Sequence, residues 1–329
     1  MKLSLGDSPV IGYQHHAYRL SIMAQHTDFF NWLYCNYIQL VLIKKPYTPM
    51  LDFYEFQKSS PLLGEMYIPK SLITKYTPLI PFLKDRLEEG KYIMTFVNEY
   101  YVPNRVNYQI MHNAHDIFLY GYNPERDEFH IAGFNESFLY NTGEIETALL
   151  EKALLHFDQS EGELMQWVDG MHLLELKPSG TFGFDQQIML EQMEEYLYSR
   201  NSSERFRMYG NSAEHVFGVA VYDEIAEYLR YVNSHITDVR IFHILYEHKK
   251  VMHARLRFLA EHRGVQLPND HIDRYEQLVE QCLILRNLCL RMQISEKLEI
   301  VNRMITLLET IKENEMKLLK EIIGELASK

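Results

Sequence analysis

The chain has 329 residues, of which 47% are hydrophobic and 24% charged, a composition that excludes a disordered protein, a collagen-like fibre and a disulfide-stapled miniprotein. Its 33 basic residues are outnumbered by 45 acidic ones, and the net charge of −12 argues against nucleic-acid binding. The three cysteines form an odd, sparse set that is typical of a reducing compartment, so no disulfide framework is expected.

Near the N-terminus, Asp7 and Pro9 precede any apolar run, which is not the pattern of a secretory signal. No window offers the roughly 18 uninterrupted apolar residues that a membrane-spanning helix needs. The sequence therefore predicts a cytoplasmic protein that contacts neither membrane nor nucleic acid.

The distribution of charge and proline predicts three regions. Residues 1–140 carry a net charge of −2, residues 141–214 carry −9 and residues 215–329 carry −1. Nine of the eleven prolines fall in the first region and divide it into short elements. We expect a mixed α/β domain over 1–140, an acidic α/β extension over 141–214 and a helical domain over 215–329.

The first region contains the clearest local signal, a β-hairpin. The run from Tyr92 to Val97 is rich in aromatic and apolar residues and predicts a strand. Two further β-rich runs, 116–122 and 128–133, flank a polar loop that contains Asn123, Pro124 and Asp127. These loop residues favour turns, so the pattern predicts two antiparallel strands.

Helix and strand signals alternate after the hairpin. Thr142 is a plausible N-cap for a helix that runs to about His156. The run from Met171 to Leu176 predicts a strand. Asp185 is then expected to cap a helix with an apolar stripe, formed by Ile188, Met189, Met193, Tyr196 and Leu197.

Apolar residues recur at helical spacing through most of the last region and predict four packed helices. Pro268 and the polar residues after it mark a break between the second and the third of them. The four stripes are Tyr222, Ile225, Leu229 and Val232; Ile241, Leu245, Met252, Leu256 and Leu259; Leu278, Cys282, Leu285 and Cys289; and Met304, Leu308, Ile311, Leu318, Ile322 and Leu326.

Motifs that would bring a cofactor or a metal are missing from the sequence. It has no GxxxxGKS/T or GxGxxG phosphate loop, no HExxH zinc motif and no CxxC pair. His243, Glu247 and His248 share a helix at spacings that can bind a metal, but a solvated or interfacial helix face is the more frequent meaning of such a cluster. Cys282 and Cys289 lie two helical turns apart and are predicted to be core residues. We expect no cofactor and no metal.

Cys35 is the candidate for nucleophilic chemistry. We expect it near a helix start, where the helix dipole lowers the pKa of a thiol. His115 enters the first hairpin strand, and a cysteine followed later by a histidine on a strand is the order in papain-like thiol enzymes. A five-residue hairpin loop would place Asn135 opposite His115, whereas a four-residue loop would place Glu136 there. The alternative for Cys35 is an ordinary semi-buried thiol.

The stretch from Tyr108 to Tyr122, which contains His115, resembles the histidine-bearing hairpin of the butirosin biosynthesis protein H family. The resemblance implies an α+β fold, with a papain/C39-like N-terminal domain that contains the antiparallel hairpin and a helical C-terminal region after it. It also implies acyl transfer or thioester processing in nonribosomal peptide or polyketide biosynthesis, through a cysteine nucleophile. The implied partners are an acyl carrier protein, or its thioester-bound acyl group, and an amine acceptor.

Carried over by position, the resemblance implies that Cys35 is the nucleophile, His115 the general base and Asn135 the group that orients the imidazole. Gly133 stands where the family has the orienting Asp, and residues 36–39 are bulkier than the small residues that follow the family's cysteine. Gln39 and the backbone N–H of Cys35 are the candidates for the oxyanion donor.

Basic residues of the helical region are expected to receive an acidic carrier protein. They include Lys249, Lys250, Arg255 and Arg257.

Two alternatives to the acyltransferase stay open. A non-catalytic relative would keep the papain-like fold as a binding or scaffolding protein of the same pathway, and Gly133 favours this hypothesis. A cysteine peptidase that cleaves a leader peptide is the second alternative. The apolar stripes of the helical region fit either an ordinary core or the seam of a homodimer.

Overall fold

A computed structural model describes residues 1–54, 60–157, 165–205, 214–231, 238–265, 267–295 and 298–327 of the chain. Contacts divide the chain into two compact units, each assembled from two segments. Unit 1 comprises Met1–Phe29 and Ser59–Phe182, and unit 2 comprises Phe30–Lys58 and Gly183–Lys329. Residue 141 falls inside unit 1 and residue 215 inside unit 2, so the three regions predicted from charge and composition are not these units and stay a prediction.

Helices account for most of unit 2 and for short segments of unit 1. The α-helices are α1 (Gln14–Met23), α2 (Phe29–Asn36), α3 (Lys70–Ile73), α4 (Leu79–Glu88), α5 (Thr147–Leu155), α6 (Met165–Val168), α7 (Gln186–Leu197), α8 (Val221–Tyr231), α9 (Val239–His262), α10 (Asn269–Ser295) and α11 (Leu298–Ala327). Single turns of 3-10 helix cover Glu99–Tyr101, Ser202–Arg205 and Gly218–Ala220.

The strands form two antiparallel sheets, one in each unit. They are β1 (Leu40–Ile43), β2 (Met50–Phe53), β3 (Leu63–Pro69), β4 (Tyr92–Asn98), β5 (Ala114–Asn123), β6 (Glu128–Phe134), β7 (Tyr140–Glu146), β8 (Gly170–Leu176) and β9 (His215–Phe217).

Unit 1 is built on a sheet with the order β3-β8-β4-β5-β6-β7. Successive residues of a strand point to opposite faces, so each face of β5 contributes to a different layer. Ile117 and Leu119 belong to the apolar cluster that also contains side chains of α4 and α5. Phe118, between them, stacks on Tyr18 of α1, with the ring centroids 4.8 Å apart. Helices therefore cover both faces of the sheet around the hairpin.

Unit 2 contains the three-stranded sheet β2-β1-β9 and the long helices. Helix α10 packs against both α9 and α11. Leu256, Leu285 and Leu308, one from each of these helices, are fully buried. The four helices predicted from apolar stripes are confirmed as α8 to α11, except that Val232 lies outside the described residues.

Most of the other local predictions are confirmed. The predicted strands correspond to β4, β5, β6 and β8, and the side chain of Asp185 caps α7 by accepting a 3.0 Å hydrogen bond from the N–H of Ile188. Cys282 and Cys289 are fully buried core residues, as expected. These elements are specified by periodicity and turn chemistry within a few residues, which is why the sequence reveals them.

The prediction of a helix that begins at Thr142 is wrong over the first turn of that helix. Residues Tyr140–Glu146 form β7, which pairs with β6 along its full length, and the helix α5 begins at Thr147. A segment that contains Gly143 is a weak helix former, and β6 offers it an unpaired edge whose hydrogen bonds decide the outcome.

Among the helices that the structure describes, none is both long and apolar enough to cross a membrane.

Candidate functional site

The hairpin of β5 and β6 positions His115. Asn123 pairs with Glu128, so the loop has the four-residue length, one of the two lengths considered from the sequence. The register then shifts by one residue between Leu119 and Gly121, and the described pairing ends at Phe118 with Ala132. On the other side, His115 pairs with Val97 of β4. Because of the shift, loop length alone does not determine which residue lies opposite His115.

Asn135 shapes the turn after β6. Its side-chain Oδ1 accepts hydrogen bonds from the N–H groups of Ser137, at 2.9 Å, and Leu139, at 3.0 Å. The backbone N–H of Asn135 donates to the carbonyl oxygen of Leu139 at 2.9 Å. These contacts give the Asn135 amide a structural role in its own loop.

The partner of His115 is the next residue in the chain. Nδ1 of His115 lies 2.7 Å from Oδ1 of Asp116. Burial by itself lowers the pKa of His115, but the hydrogen bond to Asp116 and the charge of this carboxylate outweigh burial and raise the pKa above its usual value. For Asp116, burial acts in the opposite direction and His115 and Gln14 outweigh it, so its pKa is lowered. The two groups therefore favour an imidazolium–carboxylate pair.

Gln14, the first residue of α1, occupies the space beside the imidazole. Its Oε1 accepts hydrogen bonds from the N–H of Phe134 at 2.7 Å and from Nη1 of Arg105 at 3.2 Å. Its Nε2 donates to Oδ1 of Asp116 at 2.8 Å and lies 3.0 Å from Nδ1 of His115. The backbone N–H at Oε1 fixes which end of the amide faces the imidazole.

Arg105 closes the other side of this cluster. Arg105 is buried, with 7% of its surface exposed, and its guanidinium donates to the carbonyl oxygens of Ala132, at 3.4 Å, and Phe134. Gly133 lies between these two acceptors with φ of +151°. A Cβ on Gly133 would lie 2.6 Å from Nη1 of Arg105 and closer still to Oε1 of Gln14. A side chain at the position that the resemblance gives to an orienting Asp would therefore require both Arg105 and Gln14 to move.

A cavity next to Arg105 has a volume of only about 40 Å³. It is lined by residues of the turn before β5 and of β6 and β7, among them Asn104, Arg105, Asn135 and Asn141. A cavity of this size accommodates a few water molecules and is far below the several hundred Å³ of a typical small-molecule pocket.

Cys35 lies in unit 2, whereas His115 and Asn135 lie in unit 1. It is the penultimate residue of α2, so the expectation that it lies near the start of its own helix is wrong, and the positive end of the α2 dipole does not act on its thiol. The backbone at the start of α7 does lie beside it, because Asp185 is the N-cap of that helix. Cys35 is fully buried, and its Sγ accepts a hydrogen bond from the N–H of Asp185 at 3.3 Å. Burial is the main cause that raises the pKa of this thiol.

All three cysteines of the chain fall in unit 2, and the structure records each of them as a free, buried thiol. Unit 1 as a whole contains no cysteine in its sequence. The residue whose side chain contacts the imidazole of His115 from the start of α1 is Gln14, and a carboxamide is not a nucleophile for acyl transfer.

Gln39, the side-chain candidate for the oxyanion donor, is fully buried in unit 2. Its Nε2 donates to Oγ of Ser202 at 2.8 Å and to the carbonyl oxygen of Arg200 at 3.2 Å. These contacts use both of its N–H donors.

Two of the four basic residues expected to receive a carrier protein are not at the surface. Lys249 and Arg255 are fully buried, whereas Lys250 and Arg257 are exposed. Glu247 and His248, expected on a solvated or interfacial face, are buried as well. Polar residues on an exposed helix face and polar residues of a buried network recur at the same helical spacing. The sequence therefore does not show which of the two these residues belong to.

Three residues of this cluster were not predicted from the sequence: Gln14, Asp116 and Arg105. Asp116 could have been predicted from the sequence, because it directly follows His115 and a carboxylate beside an imidazole is a recognised arrangement. Gln14 and Arg105 carry no local signal, since their contacts with the hairpin span about a hundred and about thirty residues of chain.

No protein-family model matches the chain. No curated protein matches it either.

Proposed function

We propose that this chain is a non-catalytic binding or scaffolding protein, a relative of papain-like acyltransferases that serves a natural-product pathway without forming an acyl-enzyme. The observation that carries the proposal is that the side chain at the start of α1 that contacts the imidazole of His115 is the carboxamide of Gln14. Nucleophilic acyl transfer requires a thiol or hydroxyl within hydrogen-bond reach of the general base. At Nδ1 of His115 the neighbours are instead a carboxamide and a carboxylate.

Nδ1 of His115 has a partner within the protein in both of its protonation states. A protonated Nδ1 donates to Asp116, and an unprotonated Nδ1 accepts from the amide of Gln14. In either state Nδ1 is occupied within the protein, which leaves only Nε2 for any general-base role. His115, Asp116, Gln14 and Arg105 then act together to fix the start of α1 against the hairpin.

The rival hypothesis, acyl transfer through Cys35, requires a thiolate that a substrate can reach. Cys35 is fully buried, its pKa is raised, and its sulfur already accepts a hydrogen bond. Burial and the raised pKa lower the reactivity of a thiol, and the hydrogen bond from Asp185, which acts in the opposite direction on the pKa, does not outweigh burial. They support Cys35 as a core residue of unit 2.

As partner we propose an acyl carrier protein, recognised by charge. Carrier proteins are acidic, and the exposed side chains of Lys250 and Arg257 on α9 are suited to such a surface. Arg257 is partly neutralised by Glu261, at 3.0 Å, so Lys250 is the stronger candidate.

The test is the rate of iodoacetamide alkylation at Cys35, followed by peptide mass spectrometry from acid to alkaline pH. We expect labelling slower than for an unperturbed thiol at every pH, with appreciable reaction only in the alkaline range, because burial disfavours the thiolate. His115→Ala should leave this profile unchanged. Cys282 and Cys289 serve as buried references within the same protein, and the urea-unfolded chain gives the rate of accessible thiols.

Rapid labelling of Cys35 in mild acid that disappears in His115→Ala would contradict the proposal and favour the acyltransferase. An independent readout is incubation with an acyl-N-acetylcysteamine thioester, followed by intact-mass analysis. We expect no acyl adduct on wild type or on Cys35→Ser. A stoichiometric adduct on wild type alone would also contradict the proposal.

A further inference from the structure

The strand β7 forms one end of the six-stranded sheet of unit 1. It is seven residues long and pairs with β6 from Tyr140 to Glu146. Residues 141–144 and Glu146 are exposed to solvent, and Ile145 is buried. Among the residues that the structure describes, no strand pairs with the outer side of β7. Its outward N–H and C=O groups are therefore available to another extended chain.

The two ends of this sheet are protected differently. The strand β3, at the other end, follows Pro61 and finishes at Pro69, and proline has no N–H to offer a neighbouring strand. No proline occurs between residues 125 and 177, so neither β7 nor the turns on either side of it contain one. Proline is a common device for blocking an edge, and it is missing from β7.

Two large apolar side chains lie at the start of this edge. Phe138 is 71% exposed and Leu139 is 63% exposed. The turn that presents them is held by Asn135, whose Oδ1 accepts from the N–H of Leu139 at 3.0 Å. Phe138 has φ of +56°, a left-handed conformation that is unfavourable for a bulky residue. The fixed turn therefore presents two adjacent apolar side chains to any strand that pairs with β7.

The edge formed by β7 is acidic, and this charge favours a basic partner. Residues 123–146, which cover β6, β7 and their loops, contain six acidic residues and one basic residue. Glu136 and Glu146 flank the exposed edge and are themselves exposed. An acidic edge repels an acidic strand and attracts a basic one.

We propose that β7 is a docking edge for an extended, basic segment of a partner protein, which adds a strand to the sheet and places an apolar side chain against Phe138 and Leu139. Main-chain hydrogen bonds to β7 supply the affinity, and charge and the apolar contact supply the selectivity. This proposal concerns unit 1 and does not depend on the reactivity of Cys35.

The experiment measures amide hydrogen exchange in the full chain with and without the peptide acetyl-Lys-Val-Thr-Val-Lys-Val-Lys-amide. We expect exchange of the amides in residues 140–146 to slow by about tenfold or more with bound peptide, and the effect to weaken as salt is added. A peptide with Glu in place of each Lys tests the charge. A peptide with Pro in place of each Val keeps the charge but cannot pair as a strand.

Variants of the protein test the same surface. Glu136→Lys with Glu146→Lys should weaken binding of the basic peptide by tenfold or more, whereas Glu88→Lys with Glu151→Lys makes the same charge change on helices α4 and α5 and should not. Leu139→Ser should weaken binding, and Leu155→Ser, at a residue 51% exposed on α5, is its control.

The proposal is overturned if the basic peptide leaves the amides of 140–146 unprotected, or if the acidic or proline peptide protects them equally. It is also overturned if these amides are already protected in a free protein that light scattering shows to be a dimer, because a second copy would then occupy the edge.

Discussion

At His115, Asp116 and Gln14 approach the same ring nitrogen. The carboxylate at 2.7 Å favours a proton on Nδ1, and the amide at 3.0 Å favours its absence. The raised pKa of His115 and the lowered pKa of Asp116 indicate that the carboxylate has the stronger effect on this nitrogen. These contacts and pKa shifts therefore favour an ion pair between His115 and Asp116.

Asp116→Asn should lower the pKa of His115, because it removes the hydrogen bond and the charge that raise it. An NMR titration of the imidazole resonances measures this pKa. Asp127→Asn removes an exposed carboxylate elsewhere in unit 1 and should leave it unchanged. An unchanged His115 pKa in Asp116→Asn would show that the pair does not form in solution.

The same pair makes the free energy of unfolding depend on pH. The contribution of His115 to the free energy of unfolding is fully present below the pKa of histidine in the unfolded chain. It is lost as pH rises through the pKa of His115 in the folded protein, which is raised. The contribution of Asp116 is present above the pKa of an unfolded aspartate and is lost as pH falls through its lowered folded pKa. Urea unfolding should therefore show the advantage of wild type over Asp116→Asn shrinking as pH rises through the folded His115 pKa.

At the scale of elements, the helices α9 and α11 are joined by a buried ion pair. Nζ of Lys249 lies 2.6 Å from Oε1 of Glu315, and both side chains are fully buried. Three tyrosine hydroxyls also donate to the carboxylate of Glu315 at 2.6–3.0 Å, those of Tyr196, Tyr222 and Tyr275. Burial and the charge of Glu315 raise the pKa of each of these tyrosines, which keeps them protonated as donors. The network ties α7, α8, α9, α10 and α11 together.

Lys249→Met should destabilise the protein by about 3–5 kcal/mol, because it leaves the carboxylate of Glu315 buried without a cation. Urea unfolding measures the loss. Arg257→Met breaks a pair of exposed side chains on the same helix and should cost less than about 1 kcal/mol. The double variant Lys249→Met with Glu315→Leu should be more stable than Lys249→Met alone. A loss in Lys249→Met no larger than in Arg257→Met would contradict this account.

At the scale of the whole molecule, each unit is assembled from segments distant in sequence. Arg255 on α9 is fully buried and donates to the carbonyl oxygens of Tyr34, at 2.7 Å, and Tyr37, at 2.6 Å. Lys249 also donates to the hydroxyl of Tyr196 at 2.9 Å. The helices after residue 215 therefore rely on acceptors from the first forty residues and from α7.

The fragment 215–329 should be less stable than the same helices in the full chain by at least about 3 kcal/mol, because its buried cations lose these acceptors. Urea unfolding followed by far-UV circular dichroism measures the difference. A fragment 183–329, which restores Tyr196, should recover part of it. Equal unfolding midpoints for 215–329 and the full chain would show that the helical region folds independently.

Elements with local signals were predictable from the sequence. The hairpin follows from turn residues between Asn123 and Asp127, and the helices of unit 2 follow from apolar stripes, because backbone preference and periodicity act within one or two turns. Three features became known only from the folded chain: Tyr140–Glu146 pairs as a strand, Gln14 contacts His115, and Cys35 belongs to the other unit. Each of these depends on which segments meet in the folded chain. The contact between Gln14 and His115, for example, joins residues about a hundred positions apart, and such a contact produces no pattern in the local sequence.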